Sequence, residues 1–437
     1  MNQSRAIIVV ENRPALRVAA SSARISTRQG TAMEIFENSQ GDERDLKLID
    51  KVLASGHKSV IEHQTFSVAF DDVSVLVEQF VIEARLASFT VKSRRYVDFS
   101  NAGYVVPLNL SEQQRALYDA PMRARFSDYE KLMELGVPKE DARFVLPYCL
   151  RSNFYMTVNA RELISLIGAM LFGRGKQYPE LVALGGQLKR QFDKIYPGVI
   201  DAEQSRCADC AVAALPNEVH KGSDRTGSAD LLSAPPDPDA LLARAMMFTG
   251  RFKNGTDLCS LVLDARPREL ELLNYTFIVR DVSLASVTHF TRHRIQSLIV
   301  PRPVTALKKN AYVLPETVRM NPEALQCYTE AFRLNAEAAG EFAHQPEIIS
   351  YFALAGNTVD ILFGMNAREL IHFLRLRTCT RAQWEIRACS NEMLSQLMEE
   401  YRDLFRYYGP SCAVLGYCPE GRLSCGKLRR LEEDLHG

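Results

Sequence analysis

The sequence has no excess of charge of either sign: 53 Lys and Arg stand against 53 Asp and Glu over 437 residues, with His taken as neutral. No overall field draws the chain to nucleic acid or to an acidic membrane surface, so an anionic partner has to be held by a local cluster of arginines. Long apolar runs are missing as well. Ile7–Val10 is too short for the core of a signal peptide, and no later stretch approaches a membrane span. The expectation is a soluble cytoplasmic protein with neither nucleic acid nor a membrane among its partners. The ten cysteines do not read as a disulfide framework in such a chain. Cys149, Cys259, Cys327, Cys379 and Cys389 lie among apolar neighbours, where a thiol behaves as a small hydrophobe. Tandem Cys-x2-Cys pairs are lacking too, since Cys207 and Cys210 form a single one.

What the sequence does contain is a long internal repeat. Asn-Ala-Arg-Glu-Leu-Ile occurs at Asn159–Ile164 and again at Asn366–Ile371. Asp-Val-Ser occurs at Asp72–Ser74 and at Asp281–Ser283, and Glu83-Ala84-Arg85 is echoed by Arg292-His293-Arg294. The offset is 209 residues from Arg85 to Arg294 and 207 from Asn159 to Asn366. That period is too long for a solenoid unit, so each copy is expected to be a domain. Residues 1–210 form copy one, 211–240 a Pro/Gly/Ser/Asp-rich linker, 241–408 copy two, and 409–437 a Cys/Gly/Pro-rich tail.

Periodicity predicts strands at Ala6–Val10, Thr65–Phe70 and Tyr275–Arg280. Helices are predicted at Asp45–Ala54, Val73–Leu86, Ser111–Leu135, Lys139–Phe144, Ala160–Phe172, Tyr178–Ile195, Val282–Arg294 and Gln383–Tyr407. Ile348–Arg377 reads as one long helical stretch, interrupted near Gly356 or Asn366. Strands among more abundant helices give an α+β class, helix-rich, with an α/β-like mixed sheet flanked by helices in each of two tandem homologous domains.

Four clusters carry candidate chemistry. Arg292-His293-Arg294, with Ser297 and Arg302 behind it, is the densest cationic spot, able to grip a phosphate or else to form a solvated basic face. On a helix end, Arg292 and Gln296 would share one face and Arg294 another. Asn366, Arg368, His372 and Arg377 follow, with Asn366 and Arg377 roughly 16 Å apart along one helix face; a salt-bridged surface helix is the alternative. His57-Lys-Ser59-Val-Ile-Glu62-His63 has the wrong spacing for a metal pair on a helix and reads better as a polar turn. Ser93-Arg94-Arg95-Tyr96 suits a phosphorylated, ring-bearing small molecule, or a plain exposed loop.

In this order the clusters resemble the flavin-dependent thymidylate synthase family. Its signature runs Arg-His-Arg-x-x-Ser-x-x-x-x-Ser-x-Arg-Tyr, preceded by Gly-His-x-Ser-x-x-Glu-His and followed by an Asn-Ala-Arg helix ending in Arg and Ala-Gln-x-Glu-Ile. Copy one keeps Gly56–His63, Ser88, Ser93–Tyr96, Arg143 before Leu-Pro, and Asn159-Ala-Arg161, but has Glu83-Ala84-Arg85, Met170 for the helix arginine, and Gly175-Lys-Gln-Tyr178 for Ala-Gln-x-Glu. Copy two keeps Arg292–Arg294, Ser297, Asn366, Arg368, His372, Arg377 and Ala382–Ile386, but has Ala265–Leu272 and Arg302-Pro-Val-Thr for the other pieces.

The resemblance implies FAD bound by Arg292, His293, Arg294, Ser297, Asn366, Arg368 and His372. It implies dUMP held by Ser93, Arg95, Arg143 and Arg377, with methylenetetrahydrofolate and NADPH as the other substrates. Arg377, Ser93 and Arg95 would meet the reacting uracil, Ser93 as a binding group, since no base adjoins it in sequence. One composite site would form at each interface of copy one with copy two, and a homodimer would imitate the family homotetramer. Alternatives are flavin-dependent C5 methylation of another uridine nucleotide, or a non-catalytic flavin- or nucleotide-binding paralogue. For Cys412, Cys418 and Cys425 two readings stay open: a thiolate site for structural zinc, completed by Cys207 or Cys210, or a compact loop of reduced cysteines.

Overall fold

A computed structural model describes residues 3–11, 15–108, 110–204, 227–251 and 258–427. Cys207, Cys210 and most of the expected linker lie outside these. The chain divides into two compact units, Met1–Glu218 with Thr317–Leu354, and Val219–Glu316 with Ala355–Gly437. The sequence boundaries assign Thr317–Leu354 to copy two, whereas in space it belongs to the first unit. There the helix Pro322–Gly340 packs along the helix Glu112–Glu134. Asn321 Nδ2 donates to the Leu135 carbonyl at 3.2 Å, and Thr317 Oγ1 donates to Asp141 at 2.7 Å.

Each unit holds one four-stranded sheet. In the first, β1 (Arg5–Glu11), β2 (Thr65–Ser74), β3 (Ala87–Val91) and β4 (Arg151–Asn159) lie in the order β1-β2-β4-β3. In the second, β5 (Ser228–Ser233), β6 (Asn274–Ser283), β7 (Gln296–Ile299) and β8 (Thr358–Asn366) repeat that order, β5-β6-β8-β7. Every pairing is antiparallel, which corrects the expected mixed sheet. The physical reason is the short connection after β2 and β6. Only an eight-residue helix follows each, Val75–Ile82 and Leu284–Thr291. The next strand runs in the same direction as the one before the helix but lies two places away, and the later β4 or β8 fills the gap antiparallel to both. All eight residues of each short helix are buried, as an element enclosed on every side requires.

Both sheets carry the same irregularity. The β2–β4 register slips between Phe70 and Val73, and the β6–β8 register between Val279 and Val282. At the slips, Asp72 and Asp281 take φ of 53° and 51°, left-handed values uncommon for aspartate. Their backbone N–H groups donate to Asn153 and Asp360 side chains, both at 2.9 Å. The bulge turns the chain into the short helix, whose first residues follow Ser74 and Ser283 as N-caps.

Two expected helical or irregular stretches are strands. β8 lies inside the stretch read as one helix, and its burial alternates, with Val359, Ile361, Phe363 and Met365 inward. That is period two, not 3.6. β5 lies in the expected linker and pairs with β6 as an edge strand. In the tail, Ser411–Leu415 forms one short helix.

Candidate functional site

In the second unit the site is built where the short buried helix ends against the helix Ala367–Arg377. The buried helix stops at Thr291, Arg292 is its C-cap, and β7 starts at Gln296. Arg292 and Gln296 therefore do not share a helix face as expected, because the chain leaves the helix between them. Arg292, Arg294 and Ser297 are exposed, while His293 is turned inward at 3% exposure. Asn366 caps the following helix, its Oδ1 accepting from Glu369 N at 2.9 Å. Cap geometry places Glu369 in the first turn, and helix periodicity brings Arg377 to the last turn.

Three of these side chains form a chain of contacts. His293 Nδ1 lies 3.0 Å from Glu369 Oε1, and Arg377 Nε donates to His293 Nε2 at 3.2 Å. Arg377 Nη2 donates to the His289 carbonyl at 3.1 Å. Burial pushes the His293 pKa down to about 2, with the Arg377, His372 and Arg292 charges acting in the same direction, so the ring is neutral. Burial also raises the pKa of Glu369, against the opposing pull of His372 and Arg368. His372 is exposed, its ring 5.4 Å from that of His293. Arg368 is ion-paired with Glu271, and its copy-one equivalent Arg161 with Glu62 at 2.6 Å.

Ligand atoms of His293, Glu369 and His372 lie within 4.8 Å of one another, close enough for a metal ion. The hydrogen bonding argues against that use. Both His293 nitrogens are engaged, and the guanidinium on Nε2 would repel a cation.

In the first unit, the residues assigned to the nucleotide also gather. Arg95 Nε lies 2.8 Å from Glu140 Oε1, and Arg143 Nε donates to the Glu140 carbonyl at 3.0 Å. Ser93 Oγ accepts from Arg95 N at 3.3 Å. Arg143 is 4% exposed. The neighbouring Arg94 plays a structural part: it makes two hydrogen bonds of 2.6 and 2.9 Å to buried Glu78, which also takes the Ser152 hydroxyl. Arg377, assigned to the same nucleotide, belongs to the second unit and contacts His293 there.

The copy-one counterparts of the second unit's contact chain are Ala84, Glu162 and Met170, so the histidine and arginine are gone together. At the position of Arg292 stands Glu83, paired with Arg174 at 2.5 Å, while Arg174 covers the Phe80 ring at 4.5 Å. A carboxylate there opposes a phosphate.

One reading of the motifs is corrected by these contacts. Ala-Gln-x-Glu has not become Gly175–Tyr178 in copy one; its glutamate survives as Glu180. Glu385 accepts from Ser283 N and Oγ, both at 2.6 Å, and from Ser286 Oγ at 2.7 Å. Glu180 accepts from the matching Ser74 N at 2.9 Å, from Ser4 Oγ at 3.0 Å and from Tyr351 O–H at 2.8 Å. Each glutamate ties the last helix of its copy to the start of the short buried helix.

Sequence reasoning missed Glu369 and Glu140. Glu369 is inside the repeated hexapeptide, three residues after its asparagine, and Glu140 is one turn before Arg143. Helical spacing was the available signal in both cases. Structural zinc receives no support: among the described residues, no cysteine belongs to a metal-sized group of ligands. No described helix is long and apolar enough to cross a membrane.

Comparison with known proteins gives these features a family. The family model described as thymidylate synthase complementing protein matches twice, over residues 8–198 and 231–401. A flavin-dependent thymidylate synthase from Geobacter sulfurreducens is 35% identical over 155 residues, 35% of this chain and 66% of that relative. Another, from Clostridium tetani, is 33% identical over 184 residues, 38% of this chain and 74% of the relative. Thymidylate synthase X from Helicobacter pylori, solved with FAD and dUMP, aligns with 46% of this chain and 99% of its own at 19% identity and a TM-score of 0.36. The chain belongs to the flavin-dependent thymidylate synthase family and carries the family's domain twice.

Proposed function

We propose that the protein carries out FAD-dependent reductive methylation of dUMP to dTMP, with methylenetetrahydrofolate as one-carbon donor and NADPH as reductant. The supporting observation is the division of the family signature. The contact chain Glu369–His293–Arg377 with Arg292 and Arg294 is intact only in copy two, and the Ser93–Arg95–Arg143 group around Glu140 only in copy one. The two sets would meet in a composite site between a copy one and a copy two, so that a homodimer has two sites.

The donor set of copy two suits FAD. Two exposed arginines flank a buried neutral imidazole, which gives a diphosphate cationic partners. Arg292, Arg294, Ser297, Asn366, Arg368 and His372 would hold it with His293. When bound, the flavin supplies the hydride.

The chain's own residues do the rest. Arg95 and Arg143, each already fixed by Glu140, offer preset guanidinium groups to the anionic nucleotide, with Ser93 as a hydrogen-bonding partner. Arg377 is held by His293 and by the His289 carbonyl, which orients its guanidinium to meet the negative charge that develops on a uracil carbonyl when C5 attacks. Because Arg377 needs no reorientation, that stabilisation is available from the start of the reaction.

The test is tritium release from C5-labelled dUMP by the flavin-loaded protein, with C5-labelled UMP beside it. Release from dUMP that depends on methylenetetrahydrofolate and NADPH is the expected result. Release from UMP instead points to another uridine nucleotide, and a yellow protein releasing from neither is a non-catalytic flavin binder.

A further inference from the structure

Glu369 has no part in the family signature, yet it is 7% exposed and directed at the imidazole that contacts Arg377. The direction of each hydrogen bond follows from chemistry. A guanidinium Nε–H only donates, so His293 Nε2 must offer its lone pair to Arg377. A neutral imidazole has one N–H, which must then be on Nδ1, where it donates to Glu369. Protonation on Nε2 instead would set two N–H groups against each other and release the guanidinium from His293.

We infer that Glu369 is a positioning residue: by accepting a hydrogen bond from His293 Nδ1–H it fixes the ring tautomer whose Nε2 lone pair orients Arg377. This rests on the reading of Arg377 as the group that activates uracil. The helix cap places Glu369, because its own N–H is held by Asn366 Oδ1, so the repeated hexapeptide supplies both the carboxylate and its orientation. Copy one gives an internal control. Glu162 occupies the equivalent position on the same cap, but Ala84 and Met170 stand where copy two has the imidazole and the guanidinium it would orient.

The experiment uses the full chain labelled with 15N-histidine, with His293→Gln to identify the His293 resonances among the eight histidines. The wild type is expected to show His293 protonated on Nδ1. Glu369→Ala should move it to the Nε2-protonated or mixed form. Glu369→Gln keeps the shape and can accept or donate, so it should populate both forms even where the alanine variant folds poorly. Glu162→Ala should leave the signal unchanged.

In turnover, Glu369→Ala should lower dUMP-dependent tritium release by on the order of 100-fold, the scale of a misplaced catalytic group. The double variant with Arg377→Ala should be no slower than Arg377→Ala alone. An Nε2-protonated ring in the wild type, an unchanged tautomer in both Glu369 variants, or additive losses in the double variant would each overturn the inference. A tautomer that moves as expected in a protein releasing no tritium from dUMP leaves the positioning intact and removes the functional reading instead.

Discussion

Glu385 is 1% exposed and accepts three hydrogen bonds, two from Ser283 and one from Ser286. Removing it would strand buried donors at the start of the short helix, each costing about 1–3 kcal/mol. Glu385→Ala is therefore expected to destabilise the protein by about 3 kcal/mol or more by urea unfolding, with Glu385→Gln milder because the amide oxygen still accepts. His293 makes a different prediction. Its folded pKa lies below the unfolded value, so the unfolded chain takes up the proton first. The stability this contributes is complete above the unfolded value of about 6.5 and is lost as pH falls towards the folded one. Glu369 acts with the opposite sign: its raised pKa gives stability below its unfolded value that is lost as pH rises through the folded one. Denaturant unfolding at about pH 7 and about pH 5 should show wild type losing more stability on acidification than His293→Gln does.

At the scale of elements, the repeated Asn-Ala-Arg-Glu-Leu-Ile is a helix start. Asn159 and Asn366 take the same cap conformation, and each Oδ1 accepts from the glutamate N–H three residues on at 2.9 Å. Selection for the cap explains why the string outlasts the chemistry around it in copy one. Asn159→Ala and Asn366→Ala should each cost about 1 kcal/mol in urea unfolding. Only Asn366→Ala should also reduce flavin content, since its helix carries Arg368, Glu369 and Arg377. The same string shows what was legible in the sequence. Helices with strong caps and 3.6 periodicity, such as Glu112–Glu134 and Trp384–Phe405, stand close to their expected bounds. β8 was hidden because it runs into a helix without a break: Asn366 ends the strand and caps the helix at once. β5 was hidden because it is a six-residue edge strand beside prolines, in a stretch whose composition reads as loop. The residues proposed for the site stood out in the sequence as motifs. Their grouping did not, because the Glu140 and Glu369 contacts join residues that are distant in sequence or lie on separate elements.

At the scale of the whole molecule, a duplicated chain with divided signatures should bind half as many flavins as it has family domains. One FAD per chain is expected from absorbance against protein concentration. Arg292→Ala with Arg294→Ala should abolish binding, while Glu83→Ala in copy one should leave it unchanged. Which copies share a site is then open to complementation. Arg95→Ala disables the nucleotide half in copy one, and Arg292→Ala the flavin half in copy two, so either chain alone is inactive. If sites form between chains, a mixed dimer has one site with both defects and one with neither. Random pairing makes half of the dimers mixed, so co-expression should restore about a quarter of wild-type tritium release. A mixture as inactive as its parents would instead mean that each site closes within a single chain, because both sites would then carry one defect whatever the partner.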